Sequence, residues 1–166
     1  LVQVSAGPYT IRGVSVGGVY SSLHVPELGV LLDVGLPVRS FAGVGHIFLT
    51  HGHADHAASL GALLGIRALS KVPPPRVILP SGMVHDVAAI LAARPAIDAV
   101  PVEPGDEVEL RPHLTARVLA ASHGVPVVAY QFFSRVQKLR AEYRELPGQE
   151  IGRRRLAGED LFDIIE

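Results

Sequence analysis

The stretch Thr50-His51-Gly52-His53-Ala54-Asp55-His56 constrains this chain more than any other, because it sets three histidines and a carboxylate within six residues. Before it runs His46-Ile47-Phe48-Leu49-Thr50, short, apolar and β-prone; after it Ala57 to Ile66 reads as helix. The cluster is therefore expected on a strand-to-helix loop. Alternation within His51-Gly52-His53 turns both imidazoles to one side, while Gly52 and Ala54 leave room between them for an ion. Asp55 and His56 open the helix and face a second ion. Imidazole nitrogen mixed with one carboxylate suits Zn²⁺, with Mn²⁺ or Fe²⁺ admitted because geometry rather than raw affinity decides. The competing view is a surface histidine tract that traps metal without function, against which the strand-loop-helix context speaks. For Asp55 the structural alternative is a helix N-cap. His24, His46, His85 and His113 read as ordinary, partly exposed residues.

Zero cysteines remove disulfides, thiolate ligands and thiol catalysis together, leaving histidine and carboxylate as the strong metal ligands. At 166 residues, 48% hydrophobic and a formal charge of -1, the chain reads as one domain over 1–166 with a real core. No apolar run approaches the roughly twenty residues needed to span a bilayer, and no signal segment opens the chain, so a cytoplasmic location with no membrane partner is the expectation. The near-neutral balance argues against a protein that coats nucleic acid generally.

Strand signals dominate the first fifty residues, at Tyr9 to Val19, Ser21 to Val25, Val30 to Asp33 and Ile47 to Leu49, and suggest a meandering sheet. Ala57 to Leu69 reads as one apolar helix, Val77 to Leu79 as a strand, and Met83 to Ala93 as a helix capped by Ser81. Further strands are expected near Ala99 to Val102, Val108 to Leu110, Leu114 to Leu119 and Val127 to Phe133, with a turn at Pro104-Gly105-Asp106 and a last helix from Pro147 to about Leu156.

With these residues in view, His51, His53, Asp55 and His56 match in full the His-x-His-x-Asp-His signature of the metallo-β-lactamase superfamily, which the chain resembles. More narrowly it resembles the ribonuclease Z branch, the tRNA 3′-processing endonucleases. Val30-Leu31-Leu32-Asp33-Val34-Gly35 is similar to the family strand that ends in Asp-x-Gly, whose aspartate braces the metal loop without binding metal. His123-Gly124-Val125-Pro126-Val127-Val128-Ala129-Tyr130 is similar to the segment His-x-x-Pro-x-x-Gly-Tyr, with Ala129 in place of glycine. Lys138 to Gly152 looks like the connection found in shorter ribonuclease Z-like hydrolases.

The resemblance implies an α/β (α+β) chain, mainly the N-terminal half of a metallo-β-lactamase-like αββα sandwich. It implies that His51, His53 and His123 hold one ion, that Asp55 and His56 contribute to a second, and that Asp55 also acts catalytically in proton transfer. Asp33 is then the brace. Two Zn²⁺ ions occupy the complete family site, and precursor tRNA is the implied partner, with a homodimer also implied. The bridging aspartate and the final histidine of the family have no counterpart after His123, and Leu1 is not a methionine, so a chain cut at its C-terminus, and at both ends, is expected. Seven Lys or Arg against three Glu between Arg135 and Arg155 form a locally basic segment that could meet an RNA backbone or form a solvated helix face. Two alternatives to precursor tRNA cleavage stand beside it: a hydrolase of a small ester, thioester or phosphodiester, and a non-catalytic metal-binding fragment. No residue is assigned to substrate binding.

Overall fold

The computed structural model describes residues 1–91 and 97–166, and its chain falls into two compact units, 1–106 with 118–131 and 107–117 with 132–166. The first unit holds a seven-stranded sheet in sequence order: β1 (Val2–Ala6), β2 (Tyr9–Val16), β3 (Tyr20–Val25), β4 (Val30–Leu32), β5 (His46–Phe48), β6 (Arg76–Pro80) and β7 (Asp98–Val102). From β1 to β4 the pairing is antiparallel, as a meander requires; from β4 to β7 it is parallel. The sheet is thus a meander over only half its width. Parallel neighbours need a crossover: between β4 and β5 it contains a 3-10 turn at Arg39–Phe41, and after β5 the helices provide it. β5 leads through α1 (Ala54–Ala57) and α2 (Leu60–Leu69) to β6, and β6 leads through α3 (Val84–Leu91) towards β7.

The apolar runs of β4, β5 and β6 are continuous because both sheet faces are buried there. Leu31, Ile47, Val77 and Leu79 join Leu60, Leu63 and Leu64 of α2 in the main core, while Val30, Phe48 and Ile78 are also fully buried. Phe48 meets the Tyr130 ring edge-on at 4.9 Å. The face of α2 repeats at 60, 63, 64 and 67, and its last member is Arg67. That guanidinium is buried yet satisfied: it donates to the carbonyls of Ala42 (2.7 Å), Val44 (2.6 Å) and Pro73, tying the connections before and after β5 to the helix.

The expected helix from Ala57 to Leu69 is two helices broken at Ala58-Ser59. The backbone following β4 intervenes. Val34 donates its N–H to the His56 carbonyl at 2.6 Å, and Ser59 donates its own to the Val34 carbonyl at 3.0 Å instead of continuing the helical ladder. Ser81 does not cap α3: it begins a 3-10 turn over Ser81–Met83, and its hydroxyl bonds the Glu103 carboxylate. The expected end of that helix, Ala92 and Ala93, lies outside the described residues.

In the second region the strands β8 (Glu107–Arg111), β9 (Leu114–Ala120) and β10 (Val128–Ser134) form a sheet in the order β10-β9-β8, and β9 and β10 run on into the first unit. Sequence patterning misses the antiparallel pair β11 (Val136–Leu139) and β12 (Phe162–Ile165), as it misses β1. Those strands are short and mostly exposed, and β11 and β12 also lack strict alternation. The final helix, α4, spans Gly148–Leu156 with Pro147 at its N-cap position.

Candidate metal centre

The cluster sits where the sequence places it, between β5 and α1, wholly within the first unit. Its backbone is fixed by two interactions. Thr50 accepts the Val128 N–H at 3.0 Å, and His51 forms an isolated antiparallel bridge with Val127. These draw the start of β10, and with it the His123 loop, against the histidine motif. Pro126 packs on Gly82, where an added Cβ would lie 2.9 Å from the proline ring, and the Tyr130 hydroxyl donates to the Leu49 carbonyl at 2.7 Å. Burial pushes the Tyr130 phenol well above its ordinary range, so it stays a neutral donor.

Three imidazoles converge as a result. His51, His53 and His123 each offer a ring nitrogen, all within 4.8 Å of one another, and His53 Nδ1 lies 3.1 Å from His123 Nε2. The ring centroids of His51 and His123 are 4.9 Å apart, and those of His53 and His123 4.8 Å, although seventy positions separate the last two in sequence. His51 is buried, whereas His53 and His123 open to solvent. A set of three imidazoles, one buried and two accessible, fits a borderline divalent ion.

Asp33 ties this group together. Its carboxylate accepts the Thr50 N–H at 2.8 Å, the Thr50 hydroxyl at 3.0–3.1 Å and His56 Nδ1 at 2.8 Å. Nδ1 of His56 is thereby committed to Asp33, and Nε2 is the ring nitrogen left to other partners. That Nε2 lies 3.4 Å from Asp55 Oδ2, which also accepts the Gly18 N–H at 3.0 Å from the β2–β3 turn. Asp55 stands in the first turn of α1 and makes no side-chain cap there. Among the described residues, His51, His53 and His123 form a group of three metal-capable side chains, and Asp55 with His56 forms an adjacent pair.

Burial pushes the His51 imidazole below the ordinary histidine range, and the neighbouring His56 pushes the same way, while Asp33 opposes them. For Asp55 burial acts upward, but the Gly18 N–H and His56 more than offset it, leaving the carboxyl below its usual range. His24, away from the cluster and tilted against Phe41 at 5.2 Å, is also pushed down by burial. Histidines whose folded pKa is depressed contribute stability above the unfolded value of about 6.5 and lose it as pH falls. The metal-free chain is therefore expected to show a urea midpoint that is flat above about pH 7 and declines below about 6.5; a midpoint that rises on acidification through that window would contradict it.

Gly52 does not hold the ion's space open, since a Cβ there would touch Met83 and Asp86 at 3.7–3.8 Å, ordinary contact distances. The glycine that the site requires is Gly35, where a Cβ would fall 1.8 Å from the Asp55 carbonyl oxygen and 2.7 Å from the Ser21 nitrogen. The basic segment is largely neutralised within its own unit. Arg135 pairs with Glu107 and Glu166, Arg140 with Asp160 and Asp163, and Arg153 and Arg154 with Glu150. Residues to which the sequence assigned no role at the site are Thr50, Gly18 and Gly82. Of these, the hydroxyl directly preceding the first histidine is a signal available without coordinates.

Residues 26–143 match the profile of the family described as a beta-lactamase superfamily domain. The chain belongs to the β-lactamase superfamily. As a member of that superfamily it shares 29% identity over 164 residues with nuclear ribonuclease Z of Triticum aestivum, a match covering 95% of the chain and 93% of the relative. It shares 30% identity over 165 residues with the chloroplastic tRNase Z TRZ2 of Arabidopsis thaliana, covering 95% of the chain but 46% of that relative. Among solved structures, the metallo-β-lactamase fold protein YhfI of Bacillus subtilis superimposes with a TM-score of 0.58 at 18% identity, over 72% of this chain and 52% of that one. The fold of this superfamily member is thus the metallo-β-lactamase fold, and these curated relatives carry ribonuclease Z and tRNase Z names. Among the described residues no helix is long and apolar enough to cross a membrane.

Proposed function

We propose that this chain is a metal-dependent hydrolase, a ribonuclease Z-like phosphodiesterase that cleaves the 3′ trailer of precursor tRNA. His51, His53 and His123 hold one divalent ion, and Asp55 and His56 contribute to a second. The observation that carries this reading is the convergence of the three imidazole nitrogens within 4.8 Å from two segments far apart in sequence. The ribonuclease Z names of the relatives support the tRNA substrate. Zn²⁺ suits the donor set, with Mn²⁺ or Fe²⁺ as alternatives. Divalent ions bound there supply Lewis acidity, neutralising charge on a phosphate oxygen and lowering the pKa of water towards about 7.

The protein's own part is orientation and proton transfer. Asp33 fixes His56 with Nε2 outward, and its contact with Thr50 steadies the loop that carries His51. Asp55, held by Gly18 and His56 and kept below the usual carboxylate range, is ionised at neutral pH and accepts a proton from the attacking water. Precursor tRNA incubated with the protein and Zn²⁺ or Mn²⁺ is expected to lose its 3′ trailer, and to keep it when His53 is replaced by alanine. An intact trailer under all metal conditions would sink the reading.

One observation favours a second reading, a non-catalytic metal-binding domain: Asp55 and His56 stand as a pair, with no third metal-capable side chain grouped with them among the described residues. One tightly held ion per chain without hydrolysis would support it, and two ions with hydrolysis would not.

A further inference from the structure

Thr50 stands between the carboxylate of Asp33 and the first histidine of the cluster. Its hydroxyl oxygen lies 3.0 and 3.1 Å from the two Asp33 oxygens and 2.9 Å from His51 Nδ1. A hydroxyl has one proton to give, and these neighbours compete for it. The carboxylate can only accept, whereas an imidazole nitrogen can donate or accept according to its tautomer. The Thr50 proton therefore goes to Asp33, and the Thr50 oxygen in turn accepts from His51 Nδ1–H.

We propose that Thr50 is a positioning residue that relays the Asp33 charge to His51, locking His51 as the Nδ1–H tautomer with the Nε2 lone pair turned to the cluster. The same carboxylate sets His56 directly through Nδ1, so one buried acid orients two histidines, one by contact and one through a hydroxyl. The Thr50 backbone is engaged independently, its N–H with Asp33 and its carbonyl with Val128. The side chain is therefore not needed to hold the strand, and its hydroxyl is left with an orienting task. Partners of this kind raise the affinity of a metal site by about ten- to a hundredfold. This consequence for affinity rests on the metal-centre reading above; the tautomer does not.

The experiment uses Thr50→Val, which keeps the shape and removes the hydroxyl, and Thr50→Ser, which restores it. Nitrogen-15 imidazole spectra of the metal-free protein are recorded above the titration range of histidine, with the His51 signals assigned by their loss in His51→Gln. Wild type and Thr50→Ser are expected to show His51 protonated at Nδ1, and Thr50→Val to move it to the Nε2–H form or a mixture. Zn²⁺ affinity by competition with a chelator is expected to fall about ten- to a hundredfold in Thr50→Val and to be recovered in Thr50→Ser. A wild-type His51 protonated at Nε2, or an unchanged His51 signal in Thr50→Val, overturns the relay. If wild type and variants alike fail to bind Zn²⁺, the metal-centre reading falls, and the tautomer spectra still decide the relay. Should Thr50→Val not fold, the wild-type and Thr50→Ser spectra carry the test.

Discussion

Replacing Asp33 by alanine is expected to lower stability by about 3 kcal/mol and to weaken Zn²⁺ binding by about ten- to a hundredfold. Two effects add. The carboxylate accepts three donors, the Thr50 N–H, the Thr50 hydroxyl and His56 Nδ1, and removing it leaves the Thr50 N–H without its partner in a partly buried setting, at about 1–3 kcal/mol. Asp33 also holds a left-handed backbone, with φ of 57°, a conformation that Asp and Asn tolerate and that costs alanine about 1 kcal/mol. Asp33→Asn separates the two. The asparagine keeps the backbone, but its amide group presents donors to donors, so it should recover part of the stability and little of the affinity. Chemical denaturation and metal competition on both variants measure this; wild-type affinity in Asp33→Asn would show that the carboxylate does not orient the histidines.

Gly35→Ala is expected to destabilise the fold by about 3 kcal/mol or more, with metal binding lost alongside. The added methyl would fall on backbone atoms from two directions, the Asp55 carbonyl at 1.8 Å and the Ser21 nitrogen at 2.7 Å. Neither can move alone. Gly35 donates its own N–H to Ser21 at 2.8 Å, and the Ser59 hydroxyl donates to the Gly35 carbonyl at 2.9 Å. Relief would pull α1, and with it Asp55 and His56, away from the sheet. A thermal midpoint within a few degrees of wild type would contradict the packing described here.

The Asp-x-Gly of β4 shows how much of the site was legible in the sequence. Asp33 and Gly35 stand out as a pair two residues apart after an apolar strand, yet their tasks differ: one accepts hydrogen bonds, the other makes room for a backbone. The His-x-His-x-Asp-His motif and its strand-loop-helix setting were legible because metal ligation demands particular residue types at short spacing. His123 was legible only by resemblance, since its approach depends on the Val127 bridge to His51 and on Pro126 packing against Gly82, pairings more than seventy and more than forty residues distant. Composition favours an unbroken helix from Ala57, while hydrogen bonds from Val34 to His56 and from Ser59 to Val34 interrupt it. The parallel half of the sheet was hidden for a related reason: apolar runs buried on both faces carry no alternation to distinguish parallel from antiparallel pairing. Charge counting was least informative. The excess of cations from Arg135 to Arg155 meets acids within the segment, at Glu150, and beyond it, at Glu107, Asp160, Asp163 and Glu166.

The proposed metal centre draws His51 and His53 from one segment and His123 from another, remote in sequence. X-ray absorption at the zinc edge, with metal content, on wild type and His123→Ala tests it most directly. At least one tightly held Zn²⁺ per chain is expected, with imidazole nitrogen at about 2.0–2.1 Å, and loss of an imidazole shell with weakened binding in His123→Ala. Zinc that binds with the same shell and affinity in His123→Ala, or a wild-type chain that holds none, would contradict it.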